Sequence, residues 1–240
     1  VHHVVLDRWS RRDSIIHRLD PRAKIAGAAV LLLGISVLHP IAAAPCALFL
    51  VSLLAIILAA RLPLGPALAR AAIVLPFSTV FGLAAWMAGD PARAISITVK
   101  SYLSCLCVLA LVATTPLPAL LRGLEWLRVP TLLITVAQFL YRYLFVISEQ
   151  AQHMMAAARC RGAQAGARRI RFQSAAGALG VLFARSYARA EGVQRAMAAR
   201  GYSGRFPSAR LARSRAADLV YVCAAAAVAA AANLLATRPV

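Results

Sequence analysis

The sequence predicts an all-α integral membrane protein with about five transmembrane helices and a cytoplasmic module of long amphipathic helices, and three observations carry that reading. Hydrophobic residues make up 61% of the 240 and the mean hydropathy is positive, the composition of a multi-span helical protein rather than of a soluble core. Although the formal net charge is +19, Arg and Lys fall between the apolar runs and on alternate sides, which is the positive-inside pattern. The stretch from Gln150 to Tyr202 is basic and helical in pattern, and it runs out of helix twice in nearly the same way.

In chain order, residues 1–24 carry six Lys or Arg and read as a cytoplasmic leader. The first apolar run begins near Ile25, so no cleavable signal peptide is expected. Asp20-Pro21 marks a helix start, with Asp as the cap and Pro at the first helical position. The first span is Ala23 to Leu38, closed by His39-Pro40, and the second is Ile41 to Ala60. Arg61 to Arg70 reads as an inner loop. A third span runs from Ala71 to Ala88, with Pro76 as a kink. Asp90-Pro91 makes the outer turn, and Ile95 to Thr115 is the fourth span. Lys100 inside it is either a functional intramembrane charge or a side chain that reaches the outer surface, and its place near the outer end favours the second.

After Thr114-Thr115-Pro116, residues 119–128 form a short amphipathic helix suited to the membrane interface. Thr131 to Ile147 is apolar enough to count as a span. An even number of spans must nevertheless separate the leader from the basic segment if both are cytoplasmic, so this stretch is assigned to a long tilted helix that continues to Arg161. Between residues 151 and 215 there are thirteen Arg, one acidic residue and no Lys. Phe172, Ala176, Leu179, Phe183, Tyr187, Ala190, Val193 and Met197 recur at three and four, giving a second helix one long apolar face. Glu191 and Arg195 form an i, i+4 pair. Ala216 to Ala236 is the last span, rich in alanine and suited to close helix packing. Residues 1–115, 116–215 and 216–240 are thus read as leader with four spans, interfacial and cytoplasmic helices, and last span.

The chemistry-bearing residues are sparse. Asp7, Asp13, Asp20, Glu125, Glu149, Glu191 and Asp218 are dispersed, with no paired-carboxylate motif and no phosphate-binding loop. His2, His3, His17, His39 and His153 are equally scattered, and His17 and His153 read as polar interface residues rather than cation ligands. Cys46, Cys105, Cys107, Cys160 and Cys223 lie mostly in apolar runs, and no metal-ligand set is completed. No cofactor, catalytic group or metal site is therefore expected. A nucleic-acid binder would fit the charge, but the aromatic residues of the basic segment fall on its apolar face instead of interleaving with the arginines. A membrane enzyme or binding protein for anionic or phosphorylated lipid, with the arginines as phosphate clamps, is the alternative reading.

The two endings are Met155-Ala-Ala-Ala-Arg159-Cys160-Arg161-Gly162 and Met197-Ala198-Ala199-Arg200-Gly201. Gly after a helical run is a C-cap signal, and an Arg in the last turn faces the negative end of the helix dipole. A guanidinium on a platform of small residues suits a carboxylate on a partner. These residues resemble the two Ala-Arg-Gly motifs of the T component, the membrane coupling subunit of energy-coupling factor (ECF) transporters. The stretch from Arg189 to Tyr202 matches that pattern closely, while the first ending has Cys160 where Ala is usual. The entry Ser14-Ile-Ile-His17-Arg-Leu-Asp20-Pro21-Arg22-Ala-Lys24 is most similar to the cobalt-type branch, CbiQ. The resemblance covers nearly the whole chain.

It implies a non-catalytic subunit of an ECF-type ABC importer in the cell (inner) membrane, with the N-terminus cytoplasmic and the C-terminus outside. The implied partners are two ABC-type ATPase subunits and a substrate-binding membrane subunit of the CbiM type for cobalt uptake, with room for a small accessory membrane subunit. ATPase docking falls to Arg161, Gly162, Ala199, Arg200 and Gly201, with Arg159 assisting or substituting for Arg161. Contact with the substrate subunit falls to Phe172, Leu179, Phe183, Tyr187 and Val193 on the apolar face.

Overall fold

The structure is a computed structural model that describes residues 14, 16–38, 43–162, 168–204 and 216–237. The leader up to Asp13, the His39-Pro40 turn and the basic residues from Arg205 to Arg215 lie outside the described residues. The described elements are helical: α1 Pro21–Val37, α2 Ala43–Ala59, α3 Leu64–Ala71, a 3₁₀ turn Ala72–Val74, α4 Leu75–Met87, α5 Pro91–Thr114, α6 Leu117–Trp126, α7 Thr131–Cys160, α8 Arg168–Ala199 and α9 Ala216–Thr237. They fall into two units, residues 128–209 forming one and the rest of the chain the other.

Local sequence sets most helix starts. The Asp20 carboxylate accepts from the Arg22 N–H at 2.9 Å with Pro21 in the first turn, and Asp90 accepts from the Arg93 N–H at 3.0 Å ahead of α5. The stretch expected as a loop from Arg61 to Arg70 is instead mostly α3. Its two prolines stand at the N-cap and in the first turn, where the missing N–H has no intrahelical partner to lose. Pro76 acts four residues later: it cannot donate to the Ala72 carbonyl, and there the helix tightens into the 3₁₀ turn before α4 resumes.

The larger unit buries its core where α1 runs against α9, with α2 and α5 alongside. Leu31, Ile35, Phe49, Leu53, Ile57 and Leu106 are among its fully buried large side chains. Small residues let the backbones approach, since lipid supplies no hydrophobic drive between helices. A Cβ at Gly34 would stand 2.8 Å from the Ala229 Cβ, and one at Gly27 would stand 2.6 Å from the Tyr221 ring. Asn233 on α9 donates to the Ala229 carbonyl at 2.8 Å and to the Gly34 carbonyl at 3.4 Å. The outer face of the 3₁₀ turn and α4, with Ile73, Phe77, Val80, Phe81 and Trp86, is exposed and apolar, as a lipid-facing surface requires.

Among the described residues, four stretches are long and apolar enough to cross a membrane: Leu64–Met87, Pro91–Thr114, Thr131–Cys160 and Ala216–Ala236. α1 and α2, of 17 residues each, rise only about 26 Å, near the lower limit for a span. The protein is an all-α, multi-pass membrane protein. The stretch that begins at Thr131 is one unbroken helix through Cys160, and by length and composition it qualifies as a span along part of that length.

The chain has two lysines, and each meets the carbonyl end of a neighbouring helix. The Lys24 ammonium, 2% exposed, donates to the Thr114 carbonyl at the end of α5 and to the His17 carbonyl, both at 3.1 Å. Lys100 donates to the Ser36 carbonyl in the last turn of α1 at 3.1 Å. Helix C-terminal carbonyls lack internal donors and carry the negative end of the dipole, so a cation there is favourable twice over. The two contacts clamp α1 and α5 antiparallel at both ends.

Candidate functional site: the α7 and α8 pair

In the second unit α7 and α8 run antiparallel, because residues 146–162 of α7 share a groove with residues 170–189 of α8, and Phe139, Tyr143 and Ile147 share another with Ser186 to Tyr202. The helices meet through Met154 and Ala158 on α7 and Ser174 and Ala178 on α8, which line the grooves on both sides of the crossing. Alanine and serine there permit close approach, and open grooves of about 1030 Å³ and about 770 Å³ flank the contact. The first is bordered by Arg161, Arg185 and Arg189.

Each Arg-Gly ending closes on a left-handed glycine whose N–H donates to the carbonyl three residues earlier. At the end of α8, the Gly201 N–H donates to the Ala198 carbonyl and the Tyr202 N–H to the Met197 carbonyl, both at 3.0 Å. Gly201 has φ +72. This is the Schellman arrangement, in which a residue with positive φ turns the chain and two otherwise unpaired carbonyls are satisfied. At the end of α7, the Gly162 N–H donates to the Arg159 carbonyl at 3.0 Å and Gly162 has φ +70.

The bonding pattern fixes which residues correspond. Arg161 and Arg200 are each the last residue before the left-handed glycine, Cys160 and Ala199 precede them, and Arg159 matches Ala198 rather than Arg200. Arg159, Cys160, Arg161, Gly162, Ala199, Arg200 and Gly201 are all exposed. A Cβ added at either glycine meets nothing within 4 Å, so backbone conformation and not space requires Gly there. Since α8 has 32 residues, its axis is about 48 Å long, and the antiparallel pairing puts the two arginine ends at opposite ends of the helix pair.

The apolar face of α8 is divided in two. Phe172 and Phe183 are each 75% exposed, and Leu179 and Tyr187 are also open, forming a stripe that α7 leaves uncovered. Val193 and Met197, further along, turn into the groove with Phe139, Tyr143 and Tyr202. The expected Glu191–Arg195 pair is present, at 3.1 Å and exposed. His153 stands 3.9 Å from Glu149 on the next turn, also exposed. His17 is occupied by Ser14, whose hydroxyl lies 2.8 Å from its Nδ1.

A polar node in the first unit is not apparent from the sequence. Asp218, in the first turn of α9 and 5% exposed, accepts from the Asp20 N–H at 2.8 Å, next to the Lys24 contacts. A carboxylate inside the first turn of an alanine-rich apolar helix was the available signal.

Residues 12–209 match the family model described as CbiQ, cobalt transport protein. The cobalt transport protein CbiQ of Rhodobacter capsulatus is 34% identical over 145 residues, which cover 60% of this chain and 59% of that relative. The aligned part thus spans about three fifths of the relative's length. The family match takes in α1 through α8, including the Asp20-Pro21 cap and both Arg-Gly endings, and the chain belongs to the CbiQ family of cobalt transport proteins.

Proposed function

We propose that the chain is the non-catalytic membrane coupling subunit of an ECF-type ABC importer, passing the ATP-driven motion of two cytoplasmic ATPase subunits to a substrate-binding membrane subunit in cobalt (Co²⁺) uptake. The observation that carries this reading is the pair of like-capped ends, Arg161-Gly162 and Arg200-Gly201, exposed at opposite ends of one helix pair. A motor made of two like subunits offers two like sites, and a coupling element needs one grip for each. Each guanidinium docks on an acidic groove of one ATPase through paired charge-assisted hydrogen bonds. The glycine turn takes the chain away from the contact, and Arg159 borders the first.

Closure of the ATPases on ATP then changes the force across the narrow α7–α8 crossing, where small side chains can slide. The open stripe of Phe172, Leu179, Phe183 and Tyr187 carries the substrate subunit, while Val193, expected on the same face, turns into the groove toward α7. The cobalt is assigned to a CbiM-like membrane partner, with room for a small accessory membrane subunit. In this reading the N-terminus is cytoplasmic and the C-terminus outside.

The test is ATP-dependent ⁵⁷Co²⁺ uptake into proteoliposomes holding this chain with its co-expressed ATPase and membrane partners. Uptake is expected with the full set and not when this chain is left out. Equal uptake without it would sink the proposal.

A further inference from the structure

The groove of about 770 Å³ beside the α7–α8 crossing is charged at one end only. Arg159, in the last turn of α7, and Arg171, in the first turn of α8, both line it. Because the helices run antiparallel, these two residues share one end of the groove, and Ala151 and Leu182 line the opposite end. Met154, Met155 and Leu179 lie between, with the small residues Ala158, Ala175 and Ala178. From Arg159 to Ala151 α7 rises about 12 Å, and from Arg171 to Leu182 α8 rises about 16 Å. An apolar trough of that length thus leads away from the cationic end.

No carboxylate of the unit answers the two guanidiniums. Residues 128–209 contain two acidic residues, Glu149 and Glu191. Glu149 faces His153, Glu191 pairs with Arg195, and neither lines this groove. Both arginines are exposed, so a ligand can reach them from outside. The groove on the other flank of the crossing is different, with Arg161 at one end, Arg185 and Arg189 at the other, and Glu149 in its wall. A cationic end that opens onto an uncharged trough matches an amphiphile with an anionic head. The trough also leads along α7 toward residues 131–147, the more apolar part of that helix, while the cations stand at its far end.

We propose that this groove binds one anionic phospholipid, its phosphate at the Arg159 and Arg171 end and the start of an acyl chain along Met154, Met155, Leu179 and Leu182. A guanidinium and a phosphate form two parallel charge-assisted hydrogen bonds, and basic pockets beside membrane helices select anionic head groups by charge. A choline head group would bring a cation to a site that already holds two, so phosphatidylglycerol is favoured over phosphatidylcholine. The two thioethers, flexible and polarisable, adapt to a mobile chain. The site lies within this chain and needs no partner subunit, so it stands independently of the coupling role.

The experiment is native mass spectrometry of the full chain released from detergent micelles after addition of phosphatidylglycerol or phosphatidylcholine. Wild type is compared with Arg159→Gln/Arg171→Gln and with Ala175→Trp, which fills the trough and keeps both charges. The control is Arg168→Gln/Arg169→Gln, which removes the same charge from residues that line none of the three grooves. All these positions are exposed, where substitution leaves folding intact. Wild type and the control are expected to retain one phosphatidylglycerol in preference to phosphatidylcholine. The Arg159→Gln/Arg171→Gln variant should lose that retention by about tenfold or more, the loss expected for one charged hydrogen-bond set, and Ala175→Trp should lose a large part of it. An equal loss in the control, full retention in Ala175→Trp, no preference between the two lipids, or displacement by millimolar inorganic phosphate would overturn the proposal. Unchanged retention in Arg159→Gln/Arg171→Gln would overturn it too, and loss of a co-expressed membrane partner from that variant would then give the groove to an acidic segment of the partner.

Discussion

The backbone N–H of Asp20 donates to the carboxylate of Asp218 at 2.8 Å, joining the N-cap of α1 to the first turn of α9 across 198 positions of sequence. Beside it Lys24 holds the last carbonyl of α5. The start of α1, the end of α5 and the start of α9 therefore meet at one polar node under low solvent exposure, where an unpaired group is costly.

Removing one member of that node should be expensive. Asp218→Ala takes away the acceptor of the Asp20 N–H and the nearby negative charge that favours the buried Lys24 ammonium, and an expected loss is about 2–4 kcal/mol. Thermal unfolding of the detergent-solubilised chain reads it. The variant Lys24→Met combined with Asp218→Ala should cost less than the two single losses added together, because each single variant strands its partner. Strict additivity would mean that the two groups do not interact.

Close packing of α1 on α9 sets a second expectation. At Gly34 a side chain would meet Ala229 at 2.8 Å and the Phe49 ring at 3.1 Å, so Gly34→Val should cost about 1–3 kcal/mol through overpacking. Gly65, where a Cβ meets nothing within 4 Å, is the control, and Gly65→Ala should leave the melting temperature unchanged or slightly raised.

What the sequence made legible is local. The Asp20-Pro21 and Asp90-Pro91 starts, the Gly162 and Gly201 turns, the bend at Pro76 and the Glu191–Arg195 pair each depend on residues within one or two turns, and their chemistry can be read from spacing. Helix α3 reads as a loop in the sequence because its prolines look like breakers until their position in the first turn is known. Lys24 with Thr114, Asp218 with Asp20 and Gly34 with Ala229 join residues far apart in the chain, and no single-chain pattern announces such pairs. The apolar period along α8 was visible, but not that Phe172 and Phe183 would be left open while Val193 turns toward α7.

That open stripe yields a prediction of the opposite kind from the core variants. Phe183→Glu sits on a 75% exposed position, so the isolated chain should melt within about 0.5 kcal/mol of the wild type. Co-purification of the substrate-binding membrane subunit should fall sharply, since a charge replaces an apolar anchor. A stability loss comparable to that of Gly34→Val would instead mean that the stripe packs within the chain.

The left-handed glycines separate the shape of the motif from its charge. Gly201→Ala forces a Cβ into φ +72 at a cost of about 1–2 kcal/mol, expected to fray the last turn of α8 and move Arg200. Amide hydrogen exchange should rise at Gly201 and Tyr202, whose N–H groups close that turn, and stay unchanged in α1. ATPase binding should weaken although the arginine is retained.

The most direct measurement is co-purification of the ATPase subunits with the full chain, wild type against Arg161→Glu, Arg200→Glu and the double variant, all co-expressed with the same partners. The account predicts that each single change weakens the complex, that the double variant loses about 2–5 kcal/mol or more of docking energy as attraction becomes repulsion, and that the ATPases are then absent from the eluate. ATPase subunits recovered in undiminished ratio with the double variant would contradict the claim that these two arginine ends are the grips.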